Sequence, residues 1–581
     1  MYQSIYYDFL TYTYYLRDDK QGWMEFQYQP TYWQRTNEWS ENARPVLTGG
    51  WAVPTKKYSK DDPDLLEKDI DKSLVVLREL YYKEDDVVPA WHNIVYIDIE
   101  IEMGGALTPH YIQQAPMPLT SIALIDVTTK QKICFVVDPS GQIKETNQDD
   151  KLIIPCRNEK ELIDKFLSKF EELDPTILVG YNSDYFDMPY LYFRIKQIVG
   201  EDEVLRLSPI RKVTAREFNG ENQITIGGVN CLDYMLLHKK YIMKEEPSYK
   251  LGDIGTKYVN LGKIEYEGNL NALFKDDINK FIDYNLRDVE IIEALEAKLK
   301  FIDLTIMISH ICNIPYESIY WNTVMNEGAI LKHLRRENIV SPNKPTTHNP
   351  SLKTFRETYA GGYLLEPIPG LYFDVIDLDF TSLYPSIIKS LNLGIETLVG
   401  RIKVPLATYE QNHSLDKLKE RDPNEEVVVE KVNKKNYTLT QAKVKLGDLI
   451  KIIEDNKFTI SASGAMFKTD EQSVVAKILE GWFDKREHYR GLKKKAGKEE
   501  DWANYKLYDL FQHAFKILQN AMYGTFAKSG WRYTDGQLIC SAAITNTGQS
   551  LTQNSIKFVN NKINNEYLQL SKEELIKTFN L

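Results

Sequence analysis

Asp377-Leu378-Asp379-Phe380-Thr381-Ser382-Leu383-Tyr384-Pro385-Ser386 sets two carboxylates ahead of a Thr-Ser pair and a proline. Apolar and polar residues alternate from Tyr372 to Phe380, which predicts a half-buried strand. Asp377 and Asp379 would share one face of that strand. The chain then breaks at Thr381-Ser382, and a proline just beyond suits the first turn of a helix. A carboxylate at a strand end, beside freed backbone amides, can hold a metal-bound phosphate. Taken alone, such a strand end is more often structural than catalytic.

The chain has 581 residues, too many for one core. A hydrophobic content of 43% and a charged content of 27% describe a soluble globular protein. Secretory signals and membrane-length apolar runs are not found. Cys134, Cys156, Cys231, Cys312 and Cys540 are scattered, which suits a reduced, cytosolic compartment without a zinc site. The net charge of −11 argues against simple coating of nucleic acid. Any DNA contact must come from local basic patches.

A second acidic strand reads Asn93-Ile-Val-Tyr-Ile-Asp-Ile-Glu-Ile-Glu102. Asp98, Glu100 and Glu102 fall on one face and repel each other unless cations bind there. An edge strand with a solvated acidic face would read the same way. Two later segments bear on the choice. Val179 to Leu191 follows an apolar strand and turns into a helix near Pro189, with Asp187 near the helix start. Phe281 to Leu295 reads as an amphipathic helix with Tyr284 and Asp288 one turn apart.

Further along, Arg216 to Val229 reads as a β-hairpin turning at Asn219-Gly220. Residues 338–350 read as a linker, and Tyr359-Ala-Gly361-Gly362 follows, its paired glycines allowing close backbone approach. Gln411 to Lys457 reads as a charged, peripheral insertion. Val474 to Lys495 and Lys506 to Ala527 are expected to be two antiparallel helices. Arg486 and Arg490 sit one turn apart on the first; Lys516, Asn520 and Tyr523 form one stripe on the second. A basic helix face is usually just solvated.

The run from Asp379 to Ser386 resembles motif A of family B DNA polymerases, Asp-x-x-Ser-Leu-Tyr-Pro-Ser, and Lys516-x-x-x-Asn-x-x-Tyr-Gly524 resembles their motif B. The segments at Asp98-x-Glu100, Asn182-x-x-x-Phe-Asp187 and Tyr284-x-x-x-Asp288 resemble Exo I, Exo II and Exo III of the proofreading exonucleases. The overall likeness is to the enzymes of T-even-type phages. It implies an α/β multidomain protein: an RNase H-like 3′–5′ exonuclease domain plus an incomplete right-hand polymerase with palm and helical fingers. Asp98, Glu100, Asp187 and Asp288 would hold two Mg²⁺ or Mn²⁺ ions, and Tyr284 would orient the attacking water. Hard divalent ions prefer oxygen donors, so several carboxylates must converge. Asp379 would be the polymerase metal ligand, with Asp377 its strand neighbour. Amides around Ser382, Leu383 and Tyr384 would cradle the triphosphate, and Tyr384 would lie under the sugar and exclude a ribose 2′-hydroxyl. Arg486, Arg490 and Lys516 would bind the triphosphate. Asn520 and Tyr523 would shape the nascent base-pair pocket, and Gly524 would let the backbone pass the template base. Tyr359, Gly361 and Gly362 would touch template phosphates, and the 216–229 hairpin would help strand separation.

One part of the family pattern is missing. Polymerases need a second metal-binding carboxylate, supplied by motif C, Asp-Thr-Asp, downstream of motif B. Here the only aspartate after Gly524 is Asp535, in Trp531-Arg-Tyr-Thr-Asp535. The expectation is therefore the front part of a split or truncated enzyme. A second polypeptide would bring motif C and the thumb, with primer–template DNA and dNTPs as further partners and a sliding clamp expected for the family. The compartment would be the cytoplasm of an infected bacterium. The expected domains are 1–91 amino-terminal, 92–302 exonuclease, 303–350 return and linker, 351–473 first palm part, 474–525 fingers and 526–581 palm continuation. Ile544 to Gln569 is read as a helix, and the open palm surface is expected to be apolar. The rival reading is a stand-alone 3′–5′ exonuclease whose polymerase part binds DNA or nucleotide without catalysis.

Overall fold

The computed structural model describes residues 1–84, 90–148, 150–242, 244–345, 361–372, 375, 377–404, 413–435, 438–528 and 530–579. They form two compact units, Met1–Gln29 with Lys72–Trp321, and Pro30–Asp71 with Asn322–Leu581.

In the first unit a seven-stranded mixed sheet carries the acidic strand at its centre. The spatial order is Thr146–Gln148, Lys151–Cys156, Lys132–Val137, Leu119–Asp126, Ile94–Ile101, Ile177–Gly180, Asn230–Asp233. Ile94–Ile101 runs antiparallel to Leu119–Asp126 and parallel to Ile177–Gly180. Five of these strands thus follow the order third, second, first, fourth, fifth of an RNase H-like core. Alternation does what the sequence predicts. Val95, Ile97, Ile99 and Ile101 point into an apolar core with Leu162, Phe166 and Leu191, while Asp98 and Glu100 point to the opposite face. Helix Ile278–Leu299 packs across that opposite face. Gly180 ends the neighbouring strand where there is no room for a side chain: a Cβ would lie 2.5 Å from Ser183 Cβ and 3.2 Å from the Ile97 carbonyl oxygen. The expected hairpin pairs Val213–Phe218 with Glu221–Ile226. Its turn residues Asn219 and Gly220 have φ of 54° and 83°, as a tight hairpin turn demands.

The second unit contains a five-stranded antiparallel sheet ordered Leu439–Lys445, Glu426–Val432, Leu398–Ile402, Ala465–Phe467, Thr459–Ile460. The charged 411–457 segment supplies two of these strands and the helix Leu446–Asp455, whose Leu446, Leu449 and Ile453 close a small core with Ile402 and Met466. Helix Leu383–Leu391 lies against the long helices Val474–Lys498 and Trp502–Thr525 and against Ile539–Asn561.

Three expectations change. The amino-terminal 1–91 stretch is shared between the units. Residues 30–71 stay with the second because Arg532, fully buried, bonds to Asp69 at 2.5 Å, to the Pro342 carbonyl at 2.9 Å and to Glu327 at 2.9 Å. The helix expected from Ile544 begins at Ile539, because the buried Asp535 carboxylate accepts from the amides of Gln537, Ile539 and Cys540. Among the described residues of the expected strand Tyr372–Phe380, none is in a strand, and Asp377 and Asp379 are exposed. A strand needs a neighbour to satisfy its backbone, and among the described residues none pairs there. The side chains of Leu364, Ile368, Leu371, Val375 and Leu378 are all exposed, which leaves this stretch apolar and open.

Candidate functional site

The acidic centre is built from segments far apart in sequence. Carboxylate oxygens of Asp98, Glu100 and Asp288 all lie within 4.8 Å of one another. Asp98 and Glu100 come from alternate positions of the central strand, and Asp288 from the helix crossing it. Asp187 opens the helix Asp187–Ile198 and turns inward, where its Oδ1 accepts from the Ile99 amide at 3.1 Å. It therefore stands beside the three-carboxylate group, with one oxygen already engaged. Glu102 lies past the end of the strand, its amide bonded to the Pro118 carbonyl, and takes no part in the group.

Two further side chains complete the centre, and neither was legible in the sequence. Asn285, fully buried, donates to Asp98 Oδ2 at 2.6 Å and accepts from the Ser121 hydroxyl at 2.7 Å. Lys263, from the loop between the helices Leu251–Val259 and Leu270–Asp276, bonds to Asp288 and reaches the Tyr284 hydroxyl at 3.3 Å. Its ammonium also lies 5.2 Å from the centre of the Tyr284 ring. The signal for Asn285 is a polar residue on the buried face of an amphipathic helix. For Lys263 no pattern exists in the sequence.

The electrostatics report a site with too much negative charge. Burial, then repulsion from Asp288, Asp187 and Glu100, drives Asp98 well above the usual carboxylate range. Burial, then Asp288, pushes Glu100 up to about 8. Asp187 rises to about 7, burial outweighing the Ile99 amide. Asp288 is raised by burial despite Lys263. Burial works against the Lys263 charge, but Asp288 and Asp98 hold it above its ordinary value. One lysine against four carboxylates leaves room for more positive charge, and buried Asp288 Oδ1 has no hydrogen-bond partner among the described residues. An all-oxygen donor set of this kind fits hard divalent cations.

The second unit gathers a different set. Ser382, with φ of 53°, precedes the helix Leu383–Leu391, whose first-turn amides have no partner within the helix. The Tyr384 ring packs on Tyr523, 4.4 Å between centroids. Gly361 accepts from Gln549, and a Cβ on Gly362 would lie 3.6 Å from the Tyr384 hydroxyl, so the glycine pair is brought to the same place. Tyr359 lies outside the described residues. Gly524 has open space around it. Lys516 and Asn520 are exposed on the stripe that carries Tyr523. Arg486 faces Gln519, and Arg490 pairs with Glu487 at 2.7 Å. Among the described residues no hydrogen bond or ion pair ties Asp379 to these cations. Among the described residues the only group of three or more candidate metal ligands is the Asp98 cluster of the first unit.

The profile of DNA polymerase family B matches residues 320–579, and that of the family B exonuclease domain matches residues 70–254. The chain belongs to DNA polymerase family B. It carries the family's exonuclease domain, and Tyr284 and Asp288 fall between the two matched stretches. The DNA-directed DNA polymerase of Escherichia phage RB69 is 36% identical over 266 residues, 45% of this chain and 29% of that protein. The DNA-directed DNA polymerase of Enterobacteria phage T4 is 28% identical over 455 residues, 75% of this chain and 49% of that protein. DNA polymerase 1 of Sulfurisphaera ohwakuensis is 24% identical over 507 residues, 84% of this chain and 49% of that protein. The chain thus spans half or less of the length of these relatives. Family B polymerases and their exonuclease domains use divalent metals. No helix among the described residues is long and apolar enough to cross a membrane.

Proposed function

We propose that this chain removes nucleotides from the 3′ end of single-stranded DNA and provides the nucleotide-binding part of a DNA-directed DNA polymerase. The convergence of Asp98, Glu100 and Asp288 beside Tyr284 and Lys263 carries the first half. In the reaction a water oxygen bonds to the terminal phosphorus while the bond from phosphorus to the preceding 3′ oxygen breaks. A nucleoside 5′-monophosphate leaves, and the shortened strand gains a 3′-hydroxyl. Two Mg²⁺ or Mn²⁺ ions held by Asp98, Glu100, Asp187 and Asp288 would activate that water and offset charge on the leaving oxygen. Asn285 fixes the Asp98 carboxylate. Lys263 holds the Tyr284 hydroxyl, which orients the water. Removing Asp98 and Glu100 together by alanine substitution should abolish primer shortening.

The second half rests on Tyr384 meeting Tyr523 below the exposed Lys516 and Asn520. Arg486, Arg490 and Lys516 neutralise the triphosphate, the amides of Ser382, Leu383 and Tyr384 cradle it, and Gly361 and Gly362 approach the template backbone. Asp379 binds metal together with a carboxylate of motif C, which is not found in these 581 residues. A sliding clamp and the cytoplasm of an infected bacterium complete this reading. A primer–template assay with Mg²⁺, with and without dNTPs, tests it. Shortening without extension by the chain alone fits; extension by the chain alone contradicts the need for an outside carboxylate.

The rival is an exonuclease with a silent polymerase part, favoured by the exposure of Asp379. Nucleotide binding that is lost in Lys516→Ala separates the two, since an exonuclease alone needs no triphosphate site.

A further inference from the structure

The helices Val474–Lys498 and Trp502–Thr525 run antiparallel, and their contacts keep one register along their length. Lys493 pairs with Asp509 at 2.7 Å, and Tyr489 stacks on Phe511 with centroids 4.5 Å apart and planes 10° from parallel. Next along the register, Arg486 Nη1 donates to Gln519 Oε1 at 3.3 Å.

The first two contacts hold the helices together; the third does something else. Gln519 is 1% exposed among the buried side chains of Phe515, Leu518 and Met522. An apolar residue would fill that place without the cost of burying an amide. Its Nε2 and the Nε of Arg486 are both buried without a partner among the described residues. Donors in that state are expensive unless something else is bound. Arg486 also has no ion-paired carboxylate among the described residues; Arg490 stands near it as a like charge and Glu487, itself paired with Arg490, as an opposite one. An arginine held by a neutral acceptor presents its charge undiminished to a ligand; one held by a carboxylate has that charge offset by its partner.

We infer that Gln519 is a positioning residue for Arg486, fixing its guanidinium toward the triphosphate of an incoming nucleotide while leaving its charge unspent. The inference rests on the nucleotide-site reading above. Nothing about the motif requires it, since the Lys516-x-x-x-Asn520 spacing is satisfied whatever stands at 519. Gln519 touches Arg486 and acts through it.

The test is a double-mutant cycle on binding of dATP with Mg²⁺ to the full chain, followed by calorimetry. Inorganic tripolyphosphate serves as a second probe. Arg486→Met and Gln519→Met should each weaken binding by about tenfold to a hundredfold, the range for one hydrogen bond to a charged group. In the Arg486→Met background Gln519→Met should then cost nothing further. Gln519→Glu supplies the independent arm. It keeps the acceptor but offsets the arginine's charge, so it should weaken tripolyphosphate binding clearly more in the parent chain than with Arg486→Met. Additive losses, or no loss from either Gln519 variant, overturn the inference while a loss in Lys516→Ala leaves the nucleotide site standing. Binding indifferent to Lys516→Ala overturns the site and the inference together.

Discussion

The rings of Tyr384 and Tyr523 lie 4.4 Å apart, centroid to centroid, at an interplanar angle of 42°. One comes from the start of the short helix after Ser382, the other from the last turn of a long one. Their contact joins two sequence motifs separated by well over a hundred residues into one surface.

On that surface Tyr384 should set the preference for deoxyribose over ribose. Tyr384→Ala is expected to shrink the ratio of dATP to ATP affinity by about tenfold. Gly548→Val should act in the same direction, because even a Cβ there would sit 3.0 Å from Tyr384 Cε1 and displace the ring. Competition binding with the two nucleotides decides. An unchanged ratio in both variants removes Tyr384 from sugar selection.

In the acidic centre, Asn285→Leu should preserve the fold yet leave Asp98 without its 2.6 Å bond. Residues that orient a metal ligand typically change metal affinity or activity by about 10- to 100-fold, and a loss in that range is expected for Mn²⁺ binding and for primer shortening. Ser121→Ala, one bond further out, should cost less. Equal activity in Asn285→Leu would mean that Asp98 needs no such support.

Arg532 is a stability prediction. Its guanidinium is fully buried and bonded to Glu327 and Asp69. Arg532→Met would leave the buried Glu327 carboxylate with only Lys344, 3.5 Å away, and removing one member of a buried charge network costs about 3–5 kcal/mol. Urea denaturation of the full chain should show that loss in the transition carrying the second unit. Replacing Glu327 with Gln in the same chain should recover part of it.

Glu296 predicts a pH dependence. Burial, chiefly, and then Asp303 push its carboxyl up to about 8 from an ordinary 4.5, although the Ile302 and Asp303 amides bond to it. The native state therefore holds this proton more tightly than the unfolded chain. Its contribution is complete below pH 4.5 and is lost as the pH climbs through about 8. Glu296→Gln should remove that slope, so the variant gains on the parent in thermal midpoint as pH rises. A constant difference across the range would show that Glu296 is ionised throughout.

Much of the first unit was legible because two signals agreed there. Ile94–Ile101 alternates, and a core and a crossing helix wait on either side. The same alternation from Tyr372 to Phe380 gives no strand among the described residues, since alternation describes which face is apolar and not whether a partner strand is present. The likeness to the exonuclease motifs is what drew Asp98, Glu100 and Asp288 together, and their carboxylate oxygens do lie within 4.8 Å of one another. Lys263 could not be found that way, because a loop lysine has no periodicity to betray it. Asn285 and Gln519 hide for another reason: each is a polar residue on a helix face read as core. The place of residues 30–71 was beyond reach, depending on an arginine 463 positions away from its aspartate.

The stacked rings of Tyr489 and Phe511 make a mechanical statement as well. Two helices fastened side by side bend little, and 25 residues of helix make a rod about 37 Å long. A tilt of about 10° at its root would swing the far end by about 6 Å, while Lys516 and Tyr523 near the root would shift far less. The rod is a pointer, and it carries its own dye: Trp502 stands exposed at the tip.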